Sequence, residues 1–153
     1  VLYACDGTWW DVKGAQAREF KGERWTQDRG AAVKHQLNYV ESRSAPGLGR
    51  GGVIHQGGNS GYQAMNLAHW WGARKIVLLG FDCSNAPDGR AHWFGQHERP
   101  LSTRQPFDMW LRLFPTLARD LEAERVPVVN ASRATALTCF ARAALEDVIE
   151  AAA

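Results

Sequence analysis

Residues 57–82 read GGNSGYQAMNLAHWWGARKIVLLGFD. This stretch decides the fold class. It divides into a glycine-rich turn, an amphipathic helix, a short connection and an apolar strand that ends on an acid. Ser60 followed by Gln63 matches a capping box, so a helix over about 60–71 is expected to start there. Ala64, Leu67, Ala68 and Trp71 fall at helical spacing and predict its buried stripe. Gly72 stands where a helix ends in a left-handed residue. The run Lys75–Phe81 predicts a central parallel strand covered on both faces. Parallel α/β folds build anion and nucleotide sites from this unit. The helix start offers unpaired N–H groups, and the strand end places a carboxylate in the same crevice.

Working outward, the same alternation continues. Val1–Asp6 is a short apolar run ending on an acid and predicts a buried parallel strand. Trp9 and Trp10 follow, at a strand-end loop or helix start. Residues 11–27 are mixed and charged, with Gly14 and Gly22 as breakers, and predict a short helix or irregular segment. Val33, His35, Leu37 and Tyr39 alternate with polar neighbours, which predicts a half-exposed strand. Residues 42–52 are a loop by composition, and Val53–His55 is a brief extended piece. Residues 85–104 have no period and predict a long loop, of a length that is usually functional or mobile in a compact domain. Phe107, Trp110, Leu111, Phe114, Leu117 and Leu121 form a second helical stripe, in which Pro115 predicts a kink or a split. Val126–Asn130 predicts a last strand, with Asn130–Ser132 as a polar turn. A closing helix over 137–153 is expected to dock through Leu145, Val148 and Ile149. The order predicts a doubly wound α/β domain: a Rossmann-like, mostly parallel sheet with helices on both faces.

Composition narrows the function. The chain has 153 residues, 45% hydrophobic and 22% charged, which fits one folded domain over 1–153. It begins on Val1, inside what looks like a strand, and so reads as a piece of a longer chain that lacks an N-terminal strand-turn unit. A net charge of +2 with scattered basic residues gives no argument for a nucleic-acid partner. No apolar run approaches the ~20 residues that span a bilayer, and no signal peptide is evident. Three widely spaced cysteines form no CxxC pair and suit a reducing cytoplasm.

Topology predicts which groups gather beyond the strand ends: Asp6, the Gly57–Gly61 turn, Asp82, Asn130 and Ser132. In the turn, Gly58 and Gly61 permit close approach of a ligand, and Asn59 and Ser60 add hydrogen-bonding side chains. The plainer alternative is that Ser60 caps a helix and the glycines only turn. No Walker or GxGxxG pattern is present, which argues against ATPase and dinucleotide readings. Asp82 is placed to orient a ribose, hold Mg²⁺ or cap the next turn. His92 and His97, on the loop after that strand, are the acid–base candidates, with surface histidines as the alternative. No metal-ligand set is assigned. His35, His55 and His69 read as structural or exposed, and Cys83 as a small buried residue.

At these residues the chain resembles a superfamily that includes bacterial CMP-sialic-acid-dependent sialyltransferases, motility-associated glycosyltransferases and an archaeal hydroxymethylpterin diphosphokinase. The likeness lies in GNSGYQAMNLAHWWGARKIVLLGFD, in the Tyr3–Asp6 strand and in the His92–His97 loop, and it is strongest to phage and prophage members. The resemblance implies a Rossmann-like fold and contact of Ser60 and Gly61 with a nucleotide-sugar. It also implies a histidine general base, His97 in preference to His92, and no required cofactor. The loop is one residue out of step with the superfamily pattern. The Gly-Pro-Ser-type turn that helps bind the nucleotide in relatives has no match here. The expectation is therefore a cytoplasmic transferase, in the host cytoplasm if phage-encoded, whose partner is a nucleotide or nucleotide-sugar. The alternatives are a Mg²⁺-dependent diphosphokinase-like enzyme with Asp82 and Asp6 as ligands, and a non-enzymatic binding module. Homo-oligomer formation stays open.

Overall fold

A computed structural model describes residues 1–91, 95–101 and 105–150. The elements run β1 (Leu2–Tyr3), α1 (Gly7–Ala17), β2 (Arg24–Thr26), α2 (Arg29–His35), β3 (Asn38–Tyr39), β4 (Glu41–Arg43), β5 (Val53–His55), α3 (Ser60–Trp70), β6 (Ile76–Leu78), α4 (Phe107–Ala123), β7 (Val128–Asn130), β8 (Ala141–Arg142) and α5 (Leu145–Glu150). The protein is mixed α/β, and every strand pair is parallel: β1–β2–β3, β4–β5 and β6–β7–β8. Strands β3 and β4 are two runs of one extended segment. Val40 alone separates them, and its N–H donates to the Thr26 carbonyl at 3.0 Å. The first two sheets therefore share a strand.

Helix α3 sits between the two halves of the core. Its Leu67 packs with Val40 and Ile54 of the first sheets. Its Tyr62 and Met65 face Ile76 and Leu78 of β6 and Phe114, Leu117 and Leu121 of α4. The buried surface of α3 is thus centred on Tyr62, Met65 and Leu67. Trp71, expected in the buried stripe, is exposed and meets Trp25 edge-on. A third cluster, Trp10, Ala4, Ala17 and Ala31, packs α1 against β1 and α2. The Trp10 indole is fully buried and donates to the Ala4 carbonyl at 3.0 Å, which satisfies its one polar atom.

Several elements differ from the sequence expectation. The segment 33–39 is divided: residues 33–35 end helix α2, and only Asn38–Tyr39 form a strand, β3. Asp28 accepts from the Ala31 N–H at 2.8 Å and caps that helix, and Ala31 and Ala32 bury its inner face. Val33 points outward and is 80% exposed, so the alternation in sequence did not reflect burial. Helix α1 starts at Gly7, separated from the β1 end by three residues, and β2 occupies part of the segment expected to be irregular. Strand β6 is half-covered, not covered on both faces: Ile76 and Leu78 are buried, while Val77 and Leu79 are 37% and 55% exposed. Helix α4 passes through Pro115 without splitting. The closing helix is only α5, preceded by β8, and Ile149 is exposed while Val148 is buried.

Candidate functional site

A crevice lined by several of the expected residues lies between the start of α3 and the segment after β6. It has a volume of about 250 Å³, and Asn59 and Gly61 line it on one side with Gly80, Phe81 and Asp82 on the other. Trp110 and Phe114 of α4 form its floor, and Ala91 and Gln105 bring both ends of the long loop to its rim. The structure thus joins two features that are about twenty residues apart in sequence, the glycine turn and Asp82.

The local chemistry differs from a capping box. Asn59 is the cap: its Oδ1 accepts from the Tyr62 N–H at 2.8 Å. Ser60 turns away to β1, where its Oγ accepts from the Cys5 N–H and donates to the Cys5 sulfur, both at 3.1 Å. Gln63 bonds the Tyr3 hydroxyl and the Gln56 carbonyl. Tyr62 N–H goes to the Asn59 side chain and Gln63 N–H to the Asn59 carbonyl at 3.3 Å. Among the described residues, the N–H groups of Ser60 and Gly61 are those that a helix start leaves without an intrahelical partner. With the Ser60 hydroxyl hydrogen committed to Cys5, those backbone donors, together with the helix dipole, are what the turn offers an anion.

The turn glycines are also needed by the protein's own side chains. Gly58 has φ +76°, a Cβ there would stand 2.3 Å from the Met109 methyl carbon, and its carbonyl accepts from the Trp110 indole at 3.0 Å. A Cβ on Gly61 would lie 2.8 Å from the Phe81 ring. Helix α4 and Phe81 therefore clamp the turn.

The remaining expected residues are dispersed. Asn130 and Ser132 are buried and used internally: the Asn130 Oδ1 accepts from Ser132 N–H at 3.0 Å, and Ser132 Oγ accepts from Phe81 N–H at 2.8 Å. They hold the β6 and β7 ends together and do not line the crevice. Asp6 is exposed at the junction of β1 and α1, and its side chain does not cap the helix. His97 lines a different, larger pocket of about 860 Å³ with Trp9, Lys13 and Phe20. An ion pair between Lys13 and Glu98 docks this part of the loop on α1. His92 lies outside the described residues. One loop therefore borders the Asp82 crevice at its two ends and the α1 pocket in its middle. Among the described residues, no three His, Cys, Asp or Glu side chains come together as a metal site. No helix among them is long and apolar enough to cross a membrane.

A second polar centre was not foreseen. At the ends of β1, β2, β4 and β5, the Gln27 amide donates to the Cys5 carbonyl at 3.2 Å and its Oε1 accepts from Ser42 and from the Gln56 amide. Burial is the main reason that the Tyr3 hydroxyl and the Cys5 thiol are held above their ordinary ranges, with the nearby Asp6 carboxylate adding to both. Both stay protonated at neutral pH and act as hydrogen-bonding groups. The available sequence signal was positional: Gln27 and Gln56 each stand immediately past a strand. Cys83, beside the crevice, is likewise pushed up to about 11 by burial and by Asp82 and Cys139, which excludes a ready thiolate nucleophile.

No family model matches the chain, and no curated protein or solved structure is significantly similar to it.

Proposed function

We propose that the protein is a nucleotide-binding domain with the chemistry of a nucleotide-sugar transferase, and that its three parallel sheets are parts of a doubly wound, Rossmann-like arrangement. The observation that carries the reading is the crevice in which the α3 start and Asp82 face each other. This is the place where open parallel sheets take nucleotides, past the strand ends at a helix N-terminus. In this reading the Ser60 and Gly61 N–H groups hold the phosphate of the donor, and Asp82 accepts from a ribose hydroxyl. The Trp110 and Phe81 rings supply apolar wall. The acceptor hydroxyl loses its proton to His97, its oxygen bonds to the anomeric carbon, and the carbon–oxygen bond to the nucleotide phosphate breaks. The charge on the departing phosphate is stabilised by the helix dipole. This chemistry requires the loop that carries His97 to present it beside the crevice.

Isothermal calorimetry with cytidine 5′-monophosphate, with and without Mg²⁺, tests the reading. Saturable binding that is independent of Mg²⁺ and weakened by Asp82→Asn supports it. Binding of ATP only, and only with Mg²⁺, would instead favour the diphosphokinase alternative. Failure to bind any nucleotide would sink both.

A further inference from the structure

A second pocket of about 560 Å³ opens at the carboxyl ends of β6, β7 and β8, and shares Gly80 with the crevice. Leu79 and Gly80 after β6, Arg133 after β7, and Arg142, Leu145 and Glu146 around and after β8 line it. Its size falls in the ordinary range of small-molecule sites, roughly 300–1,000 Å³. We propose that this pocket binds the phosphate group of a small phosphorylated ligand through Arg142 and Arg133.

Arg142 is set in place before any ligand arrives. Its Nη2 donates to the Ser132 carbonyl at 3.2 Å and the Arg133 carbonyl at 3.1 Å. Those carbonyls are fixed in turn. Ser132 is tied to Asn130 and to Phe81, Asn130 Nδ2 donates to Thr135 Oγ1 at 3.1 Å, and Thr135 donates to the Phe81 carbonyl at 2.6 Å. A guanidinium has five N–H donors in a rigid plane, so two bonds through Nη2 leave three donors for a ligand, one on Nε and two on Nη1. A side chain already ordered loses less entropy on binding.

The placement of charge adds a second argument. Arg133 and Arg142 come from different segments of the chain and line one concavity. Several other described cations also lack a carboxylate partner, so what distinguishes these two is the pocket they share. Two guanidinium groups on separate segments suit a dianionic phosphate better than a single carboxylate. Glu146 is the one opposing charge on the rim. The apolar side chains of Leu79 and Leu145 offer contact to the uncharged remainder of the ligand.

The probe is inorganic pyrophosphate, titrated into the intact chain by calorimetry at low ionic strength. The wild type should bind saturably. Arg133→Gln and Arg142→Gln should each weaken binding about tenfold, and Glu146→Gln should tighten it several-fold. Because Arg142 also braces the β7 turn, Arg133→Gln carries the test if Arg142→Gln does not fold. No saturable binding, or equal affinity in folded Arg133→Gln and Glu146→Gln, overturns the proposal, as does tighter binding of citrate than of pyrophosphate. Asn59→Asp keeps the α3 cap but puts a negative charge in the crevice of the transferase reading. If that variant alone abolishes binding, this inference fails and the transferase reading stands. If only the arginine variants weaken it, the inference holds whatever becomes of that reading.

Discussion

Cys83 stands next to Asp82 in the crevice, and its environment opposes ionisation. Burial first, and then Asp82 and Cys139, raise its pKa from 9.0 to about 11. At pH 8 the folded protein should therefore hold about a hundredfold less Cys83 thiolate than the unfolded chain, and iodoacetamide should modify it correspondingly slowly. The sign for stability follows. Between pH 9 and 11 the unfolded chain releases this proton while the folded chain keeps it, so unfolding becomes easier as pH rises through that window. Alkylation of Cys83 as fast in the native as in the urea-unfolded chain would contradict the burial. The residue scale is also where sequence was least informative. Ser60 and Asn59 are adjacent polar residues and equally good caps on paper. Only the position of Cys5, fifty-five residues away, decides that Ser60 turns toward β1 and Asn59 takes the cap.

At the scale of elements, helix α4 combines the strongest apolar stripe in the chain with a proline at its middle. Phe114, Leu117 and Leu121 are buried, and their packing holds the helix continuous from Phe107 to Ala123. Pro115 lies on the exposed side and supplies no N–H to the turn before it. Pro115→Ala should therefore raise stability, by about 1–3 kcal/mol, read as a higher urea midpoint. An unchanged or lower midpoint would mean that the proline ring contributes contacts the helix needs. Periodicity was readable here because one helix face meets one core. It misled in α2, where seven residues give too short a pattern to separate a period of 3.6 from a period of two. It also overstated β6, since an apolar run reports hydrophobicity but not which faces are covered. The glycine turn, α3 and β6 were legible because each carries its own local signal. Strand β2 lacked an apolar alternation to mark it.

For the whole molecule, the consequence of the topology is the division of expected site residues among three places. The α3 start and Asp82 share one crevice, Asn130 and Ser132 lock the β6–β7 end, and His97 lies by α1. Sequence order could assign all of them to strand ends, but not to a common pocket, because the distance between strand ends is set by pairing across three short sheets. The central claim is that the crevice between α3 and β6 receives the nucleotide. A ¹H–¹⁵N correlation titration with cytidine 5′-monophosphate locates it directly. The account predicts saturable shifts concentrated on the amides of residues 58–61 and 80–84, with the largest at Ser60 and Gly61. Shifts confined to other surfaces, or none at saturating nucleotide, would contradict it.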